Sequence, residues 1–385
     1  MGEFGKLDTP TQVSDLLDPV ASDPATSQIG LRTDRDVVSA LYEGLMGRVA
    51  DVDGLNHHVE ALRCGLPLST VIRSMAHSEE FKAKAIELVF PPAELPDLTK
   101  IMPERYRVEQ AEHGTCTVFH AKTDDDISQM ERMIVEYRYY DHLGVWNPRI
   151  DLDKRVTASI VRGLGARSCL ELGCFTGPVL SVLKDAGLEV AGIEVSHLAF
   201  VMAYPNIRNQ IIYGDLLTQR LGQQFDVVVG MDVLEHISPF KLGLYFERVA
   251  QMIPNSGYVF INSPMFGQDD VFGTVFPPYL EEWKRVGAAG FWRDFDCSPT
   301  GWPLHGHLVW ASVEWWERIA KRSGLVRDRI VEAAIQAELS EFFRHLAPAR
   351  KSLFVLRHLD NPREPREVGL SIKATLGQID DLPRV

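Results

Sequence analysis

The sequence has 385 residues and a formal net charge of −13. This length predicts more than one domain, and the apolar and charged shares, 45% and 24%, are typical of a soluble protein. No apolar run approaches the roughly 20 residues that cross a bilayer, and the amino terminus lacks the apolar core of a secretory signal. An acidic chain without a Lys/Arg cluster argues against nucleic acid as a partner.

Five cysteines are scattered along the chain without CxxC spacing. This pattern favours free thiols in a reducing compartment over a disulfide or zinc framework. We therefore predict a cytoplasmic protein that spans no membrane.

The first third of the chain divides into three predicted segments. Residues 1–33 carry Pro, Ser, Thr and Asp with little periodicity, which predicts a flexible tail. Residues 34–88 hold three short stretches with helical apolar spacing, which predict a small all-helical domain. Residues 89–125 begin with a connector that contains four prolines, and we interpret this segment as a linker.

Residues 126–362 are predicted to form an α/β domain, followed by a C-terminal tail over 363–385. After a helical start, short apolar runs alternate with helical stretches, and the predicted strands are 168–172, 189–194, 210–213, 225–230, 257–262 and 352–358. Continuous apolar runs are typical of strands buried on both faces. Strands that alternate with helices predict a doubly wound, mostly parallel sheet.

The segment "SCLELGCFTGPVL" places glycines directly after the first predicted strand. Gly173 and Gly177 allow the backbone to approach a ligand at the carboxyl end of a strand, where doubly wound sheets bind ligands. A dinucleotide fingerprint would need glycine at two further positions, which are occupied by Phe175 and Pro178. Glu171 before the loop would repel a pyrophosphate but suits an ammonium group.

Carboxylates also follow the next three predicted strands. Glu194 ends the second strand, where an acid accepts hydrogen bonds from ribose hydroxyls. Asp215 follows the third strand and is placed to accept from an exocyclic amine, and Asp232 follows the fourth. Two alternatives stay open: Asp215 caps a helix predicted over the following "LLTQRLG", and Glu171 is an anion at a helix amino terminus.

Residues from about 130 to 358 resemble class I S-adenosylmethionine-dependent methyltransferases, through "LELGCFTG", "GIEVS", "YGD" and "FDVVVGMDVLEHI". The resemblance implies a Rossmann-like fold, S-adenosyl-L-methionine as cofactor and methyl transfer. In this family the position of Phe175 usually holds a small residue, so the side chain would either narrow the pocket or stack nearby. The cofactor-binding residues that the resemblance implies are Glu171, Gly173, Cys174, Phe175, Gly177, Glu194, Val195, Gly214, Asp215, Leu216 and Asp232.

An aromatic-rich insertion over 264–310 follows the fifth strand, at a position where this family commonly carries substrate contacts. Its aromatic side chains either stack on a sugar or apolar substrate or form the core of a lid. The segment "YRYYDHLGVWNP" before the sheet either covers the cofactor or seals a helix against the sheet. The substrate-binding candidates in the two segments are Tyr140, Trp146, Trp292 and Trp302.

Three histidines are candidate general bases. His305 and His307 flank a glycine, and in an extended chain their side chains would point to one side. A neutral imidazole suits accepting a proton from an attacking hydroxyl, which makes His307 the first candidate. The alternatives are a structural role or a metal site completed by Asp269 or Asp270, which two histidines leave incomplete, so we predict no metal. His236 resembles the histidine of the family's "LEH" segment.

Residues 34–85 resemble a small bacterial helical domain of unknown function that is similar to phycobilisome linker repeats. The matching segments are "LYEGLMGR", "DVDGL", "ALRCG" and "SEEF". The resemblance implies a bacterial origin and a protein-interaction role, and this domain recurs in glycan-handling proteins. We therefore predict a cytoplasmic methyltransferase that modifies a hydroxyl of a sugar, glycan precursor or small metabolite. The alternatives are N- or C-methylation of a natural product, and a non-catalytic scaffold that binds the cofactor.

Overall fold

The protein is described from a computed structural model, which describes residues 33–42, 48–76, 78, 94–111, 114–143, 149–219, 221–275, 290–291 and 294–382. The chain divides into a small unit, residues 11–91, and a larger unit, residues 92–385. Almost all of the predicted tail over 1–33 lies outside the described residues. No helix in the described parts of the chain has the length and apolar character needed to cross a bilayer.

The small unit contains three helices, α1 (Asp34–Leu41), α2 (Val52–Arg63) and α3 (Leu68–Ala76). Thr33 caps α1, since its hydroxyl accepts from the N–H of Asp36 while the Asp36 carboxylate accepts from the N–H of Thr33 at 2.8 Å. The helices are amphipathic and bury one shared core, whose members are Val38, Tyr42, Leu55, Val59, Val71 and Met75. The predicted helices are therefore present.

The larger unit is a mixed α/β structure. Its strands are β1 (Tyr106–Ala111), β2 (Gly114–His120), β3 (Ser168–Leu172), β4 (Glu189–Glu194), β5 (Ile211–Tyr213), β6 (Val227–Met231), β7 (Tyr258–Asn262), β8 (Met265–Asp269), β9 (Gly273–Val275), β10 (Gly290–Phe291), β11 (Asp294–Cys297), β12 (Trp310–Ser312), β13 (Leu325–Arg327) and β14 (Leu353–His358). Its helices are α4 (Leu98–Ile101), α5 (Asp124–Glu136), α6 (Tyr139–His142), α7 (Leu152–Gly163), α8 (Pro178–Asp185), α9 (His197–Val201), α10 (Leu242–Met252), α11 (Val313–Arg322), α12 (Arg329–Glu338), α13 (Ser340–His345) and α14 (Pro365–Leu376).

The central sheet has seven strands in the order β13-β14-β7-β6-β3-β4-β5. Strands β3 to β7 are parallel, and β14 is antiparallel to both of its neighbours. The six predicted strands are all present, with ends within two residues of the prediction. Successive strands are added on one side of β3 and then on the other, so the strand order reverses between β3 and β6, and ligands bind at such a point.

Both faces of the central sheet are buried, as the continuous apolar runs predicted. Neighbouring residues of a strand point to opposite faces, so Cys169 packs in one apolar layer and Leu170 in the other. The first layer includes helix residues such as Ile372, and the second includes the fully buried Trp316. This two-sided burial holds the carboxyl ends of β3, β4 and β6 in fixed positions.

The predicted linker over 89–125 is wrong in its second half. Strands β1 and β2 form an antiparallel hairpin there, and β2 pairs with β11 from the predicted insertion. Phe119 lies opposite Phe295 in this pairing, and their rings stack with centroids 5.0 Å apart. The upstream prolines predicted a linker, but the residues on both sides of Gly114 alternate between apolar and polar, which is typical of strands.

The predicted C-terminal tail is wrong over residues 365–376, which form helix α14. Val368 and Ile372 of this helix are buried against the sheet unit. A Cβ atom on Gly163 of α7 would lie only 2.5 Å from the Cα of Ile372, so glycine at that position permits the close approach of the two helices. This last helix is therefore part of the core.

Candidate active site

The loop between β3 and α8 depends on its two glycines. Gly173 and Gly177 adopt φ values of 56° and 76°. A Cβ atom on Gly173 would lie 2.4 Å from the side chain of Val233, and one on Gly177 would lie 2.4 Å from that of Ile207. Both positions therefore need glycine, because the backbone is left-handed there and a side chain would clash. The two glycines fix the path of the backbone at the end of β3.

Glu194 connects this loop to the end of β4. Its Oε2 accepts a hydrogen bond from the N–H of Phe175 at 2.7 Å, and its Oε1 accepts from the N–H of Ser196 at 2.6 Å. Burial raises the pKa of Glu194, and these backbone N–H groups oppose that shift. Phe175 itself has a left-handed φ of 55°. A carboxylate has about four acceptor positions, so Glu194 retains capacity for ribose hydroxyls.

Glu171 is a buried carboxylate with an unused oxygen. Burial, and then the charge of Glu194, raise the pKa of Glu171 to about 8. The backbone N–H of Leu180 in the first turn of α8 opposes this shift, as the helix-terminus alternative expected. Its Oε2 has no hydrogen-bond partner among the described residues. A buried carboxylate oxygen without a partner, next to a glycine loop, is suited to accept a hydrogen bond from the ammonium group of a methionine moiety.

Asp215 caps a turn, and the helix predicted after it is absent from the described residues that follow. Its Oδ1 accepts from the N–H of Leu217 at 2.7 Å, and its Oδ2 accepts from the hydroxyl of Tyr245 at 2.5 Å. The preceding Gly214 donates its N–H to the carbonyl of Glu194 at 2.8 Å. The capping geometry leaves the adenine role of Asp215 as a prediction.

The other predicted cofactor residues differ in exposure. Cys174 and Leu216 are buried in the apolar layers on the two faces of the sheet, so their contribution is packing beneath the loops. Val195 is 44% exposed. The backbone groups of these residues lie next to the loops that end β3, β4 and β5, and their contact with a cofactor stays a prediction.

Asp232 is held by an arginine that the sequence did not point to. Asp232 has a left-handed φ of 54° and forms an ion pair with Arg350. Arg350 also donates to Asp153 at 3.0 Å and to the Oδ1 of Asn262 at 2.9 Å. The carboxylates of Asp232 and Asp153 raise the pKa of this buried guanidinium. The segment before β14 is thus tied to the carboxyl ends of β6 and β7.

Helix α6 is attached to the end of β4 through Asp141. The carboxylate of Asp141 accepts from the hydroxyl of Ser196 at 2.8 Å and from the N–H of Leu198 at 3.1 Å. This attachment positions Tyr140, whose ring meets that of His236 edge to face with centroids 5.5 Å apart.

Tyr140 connects the cofactor residues to the histidines. Burial raises the pKa of its hydroxyl above the usual range, and the nearby charges of Glu235 and Glu194 add to the shift. Tyr140 therefore lies near both carboxylates, one at the end of β4 and one beyond β6.

The three predicted histidines come together. The rings of His236 and His307 are 4.9 Å apart, and those of His305 and His307 are 5.8 Å apart. The expectation of an extended chain through His305 is wrong, because this residue has a left-handed φ of 57° inside a short helical turn. Glu235 joins the group, with its Oε1 4.0 Å from the Nε2 of His307.

The three histidines are uncharged at neutral pH. Burial lowers the pKa of His236 to about 4. Burial, together with the neighbouring imidazoles, lowers the pKa of His307 well below its usual range, and burial also lowers that of His305. Burial raises the pKa of Glu235 far above its usual range. The three imidazoles therefore provide uncharged nitrogen atoms near the carboxyl end of β6.

Two of the predicted substrate contacts lie outside the described residues, namely Trp146 and Trp292. Trp302 is described, and it is 1% exposed. Its ring stacks on Tyr139 with centroids 4.9 Å apart, and its indole N–H donates to the carbonyl of Pro96 at 2.9 Å. We correct this prediction, since Trp302 is a packing residue of the core beside the β1–β2 hairpin.

The metal alternative weighed from the sequence is also corrected. The carboxylate of Asp269 forms an ion pair with Arg327 at 2.7 Å rather than joining the histidines. Hydrogen bonds from the N–H groups of Val271 and Phe272 hold the same carboxylate. Asp269 therefore serves a structural network around the buried Arg327.

Comparison with protein families assigns the two units. Residues 150–326 match a family model described as a methyltransferase domain. This part of the chain is a methyltransferase domain of the S-adenosyl-L-methionine-dependent class. Residues 17–85 match a domain of unknown function, DUF4214, so the small domain begins within the predicted tail. The likeness of the small domain to phycobilisome linker repeats stays a prediction.

The methyltransferase domain is similar to two curated enzymes. They are the ubiquinone biosynthesis O-methyltransferases of Nitrosomonas europaea (26% identical, 27% of this chain, 46% of that protein) and Pseudomonas fluorescens (24% identical, 33% of this chain, 58% of that protein). The chain thus spans about half the length of the curated relatives that it matches.

The solved structures that the chain matches include two N-methyltransferases. One is the 1,6-didemethyltoxoflavin-N1-methyltransferase of Burkholderia thailandensis with bound S-adenosylhomocysteine, 13% identical, covering 66% of this chain and 96% of that chain with a TM-score of 0.38. The other is the sugar N-methyltransferase KedS8 of Streptoalloteichus, 24% identical, covering 30% of this chain and 50% of that chain with a TM-score of 0.28.

Proposed function

We propose that this protein transfers a methyl group from S-adenosyl-L-methionine to a hydroxyl group of a sugar, glycan precursor or small metabolite. The observation that carries the proposal is the meeting of three imidazoles, those of His236, His305 and His307, one of which also packs against the ring of Tyr140. Oxygen methylation needs a group that removes the hydroxyl proton, whereas an amine attacks without one.

The cofactor residues have separate roles in this proposal. The unused oxygen of Glu171 receives the ammonium group of the methionine moiety, and Glu194 accepts from the ribose hydroxyls. The glycine loop lets the backbone come close to the ligand. When bound, S-adenosyl-L-methionine supplies a methyl group made electrophilic by the sulfonium charge. Alignment of this group with the acceptor oxygen supplies much of the rate.

The histidine cluster removes the proton. His307 is the proposed base, because its side chain is 11% exposed and its imidazole is neutral at pH 7. Glu235 lies beside this base, with its Oε1 4.0 Å from the Nε2 of His307. His305 is half-buried and gives the proton a path towards solvent.

A labelled-donor assay tests the proposed reaction. The full chain is incubated with methyl-labelled S-adenosyl-L-methionine and three acceptor sets, namely sugars and nucleotide sugars, phenolic metabolites, and amines of matched size. We expect label in a methyl ether of a hydroxylated acceptor. Label only in amines would contradict the proposal.

Substitution of the proposed base tests its role. We expect His307→Gln to lower turnover by roughly 100-fold or more, the usual contribution of a general base, with cofactor affinity unchanged. The control is His345→Gln on α13, where the side chain is 62% exposed. Equal turnover of the His307 variant and the control would remove His307 from the mechanism.

A further inference from the structure

Three potential metal ligands converge beside the end of β6. Glu235, His236 and His307 each contribute one ligand atom, and these atoms all lie within 4.8 Å of one another. The first two residues come from the turn after β6, while His307 comes from the separate loop before β12. The fold therefore brings a carboxylate and two imidazoles to one place.

Two polar side-chain atoms in this cluster are buried without a hydrogen-bond partner in the described part of the chain. The Oε2 of Glu235 accepts from the hydroxyl of Ser263 at 2.9 Å, but its Oε1 has no hydrogen-bond partner within the described part of the chain. The same holds for the Nδ1 of His236. Buried polar atoms without partners are costly, so this arrangement indicates a ligand that binds both atoms.

The donor set identifies the class of ligand. Two imidazole nitrogens and one carboxylate bind zinc and other first-row divalent ions at about 2.0–2.2 Å, and three protein ligands leave a coordination position open. Side-chain rotation must bring the ligand atoms closer by roughly 1 Å to reach this geometry. The supporting contacts are already present, because Ser263 orients Glu235 and the backbone carbonyls of Gly306 and Asp232 lie beside His236.

We propose that Glu235, His236 and His307 bind a divalent first-row metal ion, with zinc as the best match, and that its open position receives the acceptor's hydroxyl oxygen. The second half of this proposal rests on the proposed methyl transfer, and the first half does not. A bound cation lowers the pKa of a coordinated hydroxyl.

In the metal-bound form His307 is a ligand and does not take the proton. The O–H bond of the coordinated acceptor breaks with its proton released to water. The acceptor oxygen forms a bond to the methyl carbon as the carbon–sulfur bond breaks. The products are a methyl ether, S-adenosylhomocysteine and one proton.

Metal titration of the full chain tests the site directly. Chelator-treated protein is titrated with Zn²⁺ by calorimetry and with Co²⁺ by visible absorption, without methyl donor or acceptor. We expect one ion per chain and the intense absorption of four-coordinate Co²⁺. Absence of stoichiometric binding at micromolar metal would overturn the proposal, and this result requires no variant.

Variants locate the bound ion. We expect Glu235→Gln and His307→Gln to weaken binding at least 100-fold, with folding checked by circular dichroism. The control is the double variant Glu341→Gln/His345→Gln, which removes a surface His–Glu pair at 3.3 Å and should bind as the wild type does. Binding that survives in both site variants but is lost in the control would place the ion on the surface and overturn the proposal.

The titration separates this proposal from the proposed reaction. Failure to bind metal leaves methyl transfer with His307 as base unaffected. Metal binding without methylation of any hydroxylated acceptor would instead contradict the proposed reaction and leave the metal site standing.

Discussion

On the proposed cofactor side of the site, comprising residues 171–177 and 194–196, backbone N–H groups donate to both carboxylate oxygens of Glu194, while the Oε2 of Glu171 has no partner among the described residues. On the acceptor side, comprising residues 235–236 and 305–307, side-chain atoms are buried against each other, and some lack hydrogen-bond partners within the described chain. The cofactor side is thus fixed by the main chain before a ligand arrives. The acceptor side is held by packing and depends on its ligand for polar contacts.

Removal of Glu194 should have the largest effect. Glu194→Ala leaves the buried N–H groups of Phe175 and Ser196 without their acceptor, and bonds to a charged group contribute about 1.5–3 kcal/mol each. We expect a loss of about 4 kcal/mol in the free energy of unfolding, measured by urea denaturation. Glu189→Ala, an exposed position at the start of the same strand, is the control. Similar losses in both variants would break the proposed distinction between the two sides.

On the cofactor side, the ionisation of Glu171 should make the stability of the protein depend on pH. Its pKa rises from 4.5 in the unfolded chain to about 8 in the fold, mainly through burial. Its contribution to stability is complete below pH 4.5 and is lost as the pH rises towards 8, at up to about 1.4 kcal/mol per pH unit. We expect Glu171→Gln to abolish this loss in urea titrations of the cofactor-free protein. A pH profile equal to the wild type's would contradict the burial of an unpaired carboxylate.

On the acceptor side, stability should change with pH in the opposite direction and over a narrower pH range. Burial lowers the pKa of His236 from 6.5 to about 4, so its contribution is complete above pH 6.5 and is lost as the pH falls towards 4. We expect this acid-side loss, measured in chelator-treated protein, to shrink in His236→Gln and to persist in His345→Gln. Equal profiles for the two variants would show that His236 is not buried as a neutral ring.

The positions of the residues on the proposed cofactor side were largely predictable from the sequence because they follow strands that are close together in the chain. The apolar runs gave the ends of β3, β4 and β6, and the residues after these ends meet at one edge of a parallel sheet. The sequence could not reveal how Asp215 is used, because its partner Tyr245 lies on a helix thirty residues away.

The acceptor side was only partly predictable because distant segments assemble it. The position of Trp302 depends on the pairing of β2 with β11, and the hold on Asp232 depends on Arg350. The left-handed turn at His305 has no signal in the residue type, since the sequence pattern was equally compatible with an extended chain. The cluster of Glu235 with His307 follows from these long-range contacts and not from local spacing.

The most direct measurement is a calorimetric titration of the full chain with S-adenosyl-L-methionine, in parallel with Glu194→Ala and Glu189→Ala. A cofactor-binding notch at the carboxyl ends of β3 and β4 predicts one molecule bound per chain by the wild type and by the Glu189 variant, with at least a 100-fold weaker affinity in the Glu194 variant. No binding by the wild type, or equal binding by all three proteins, would contradict the account.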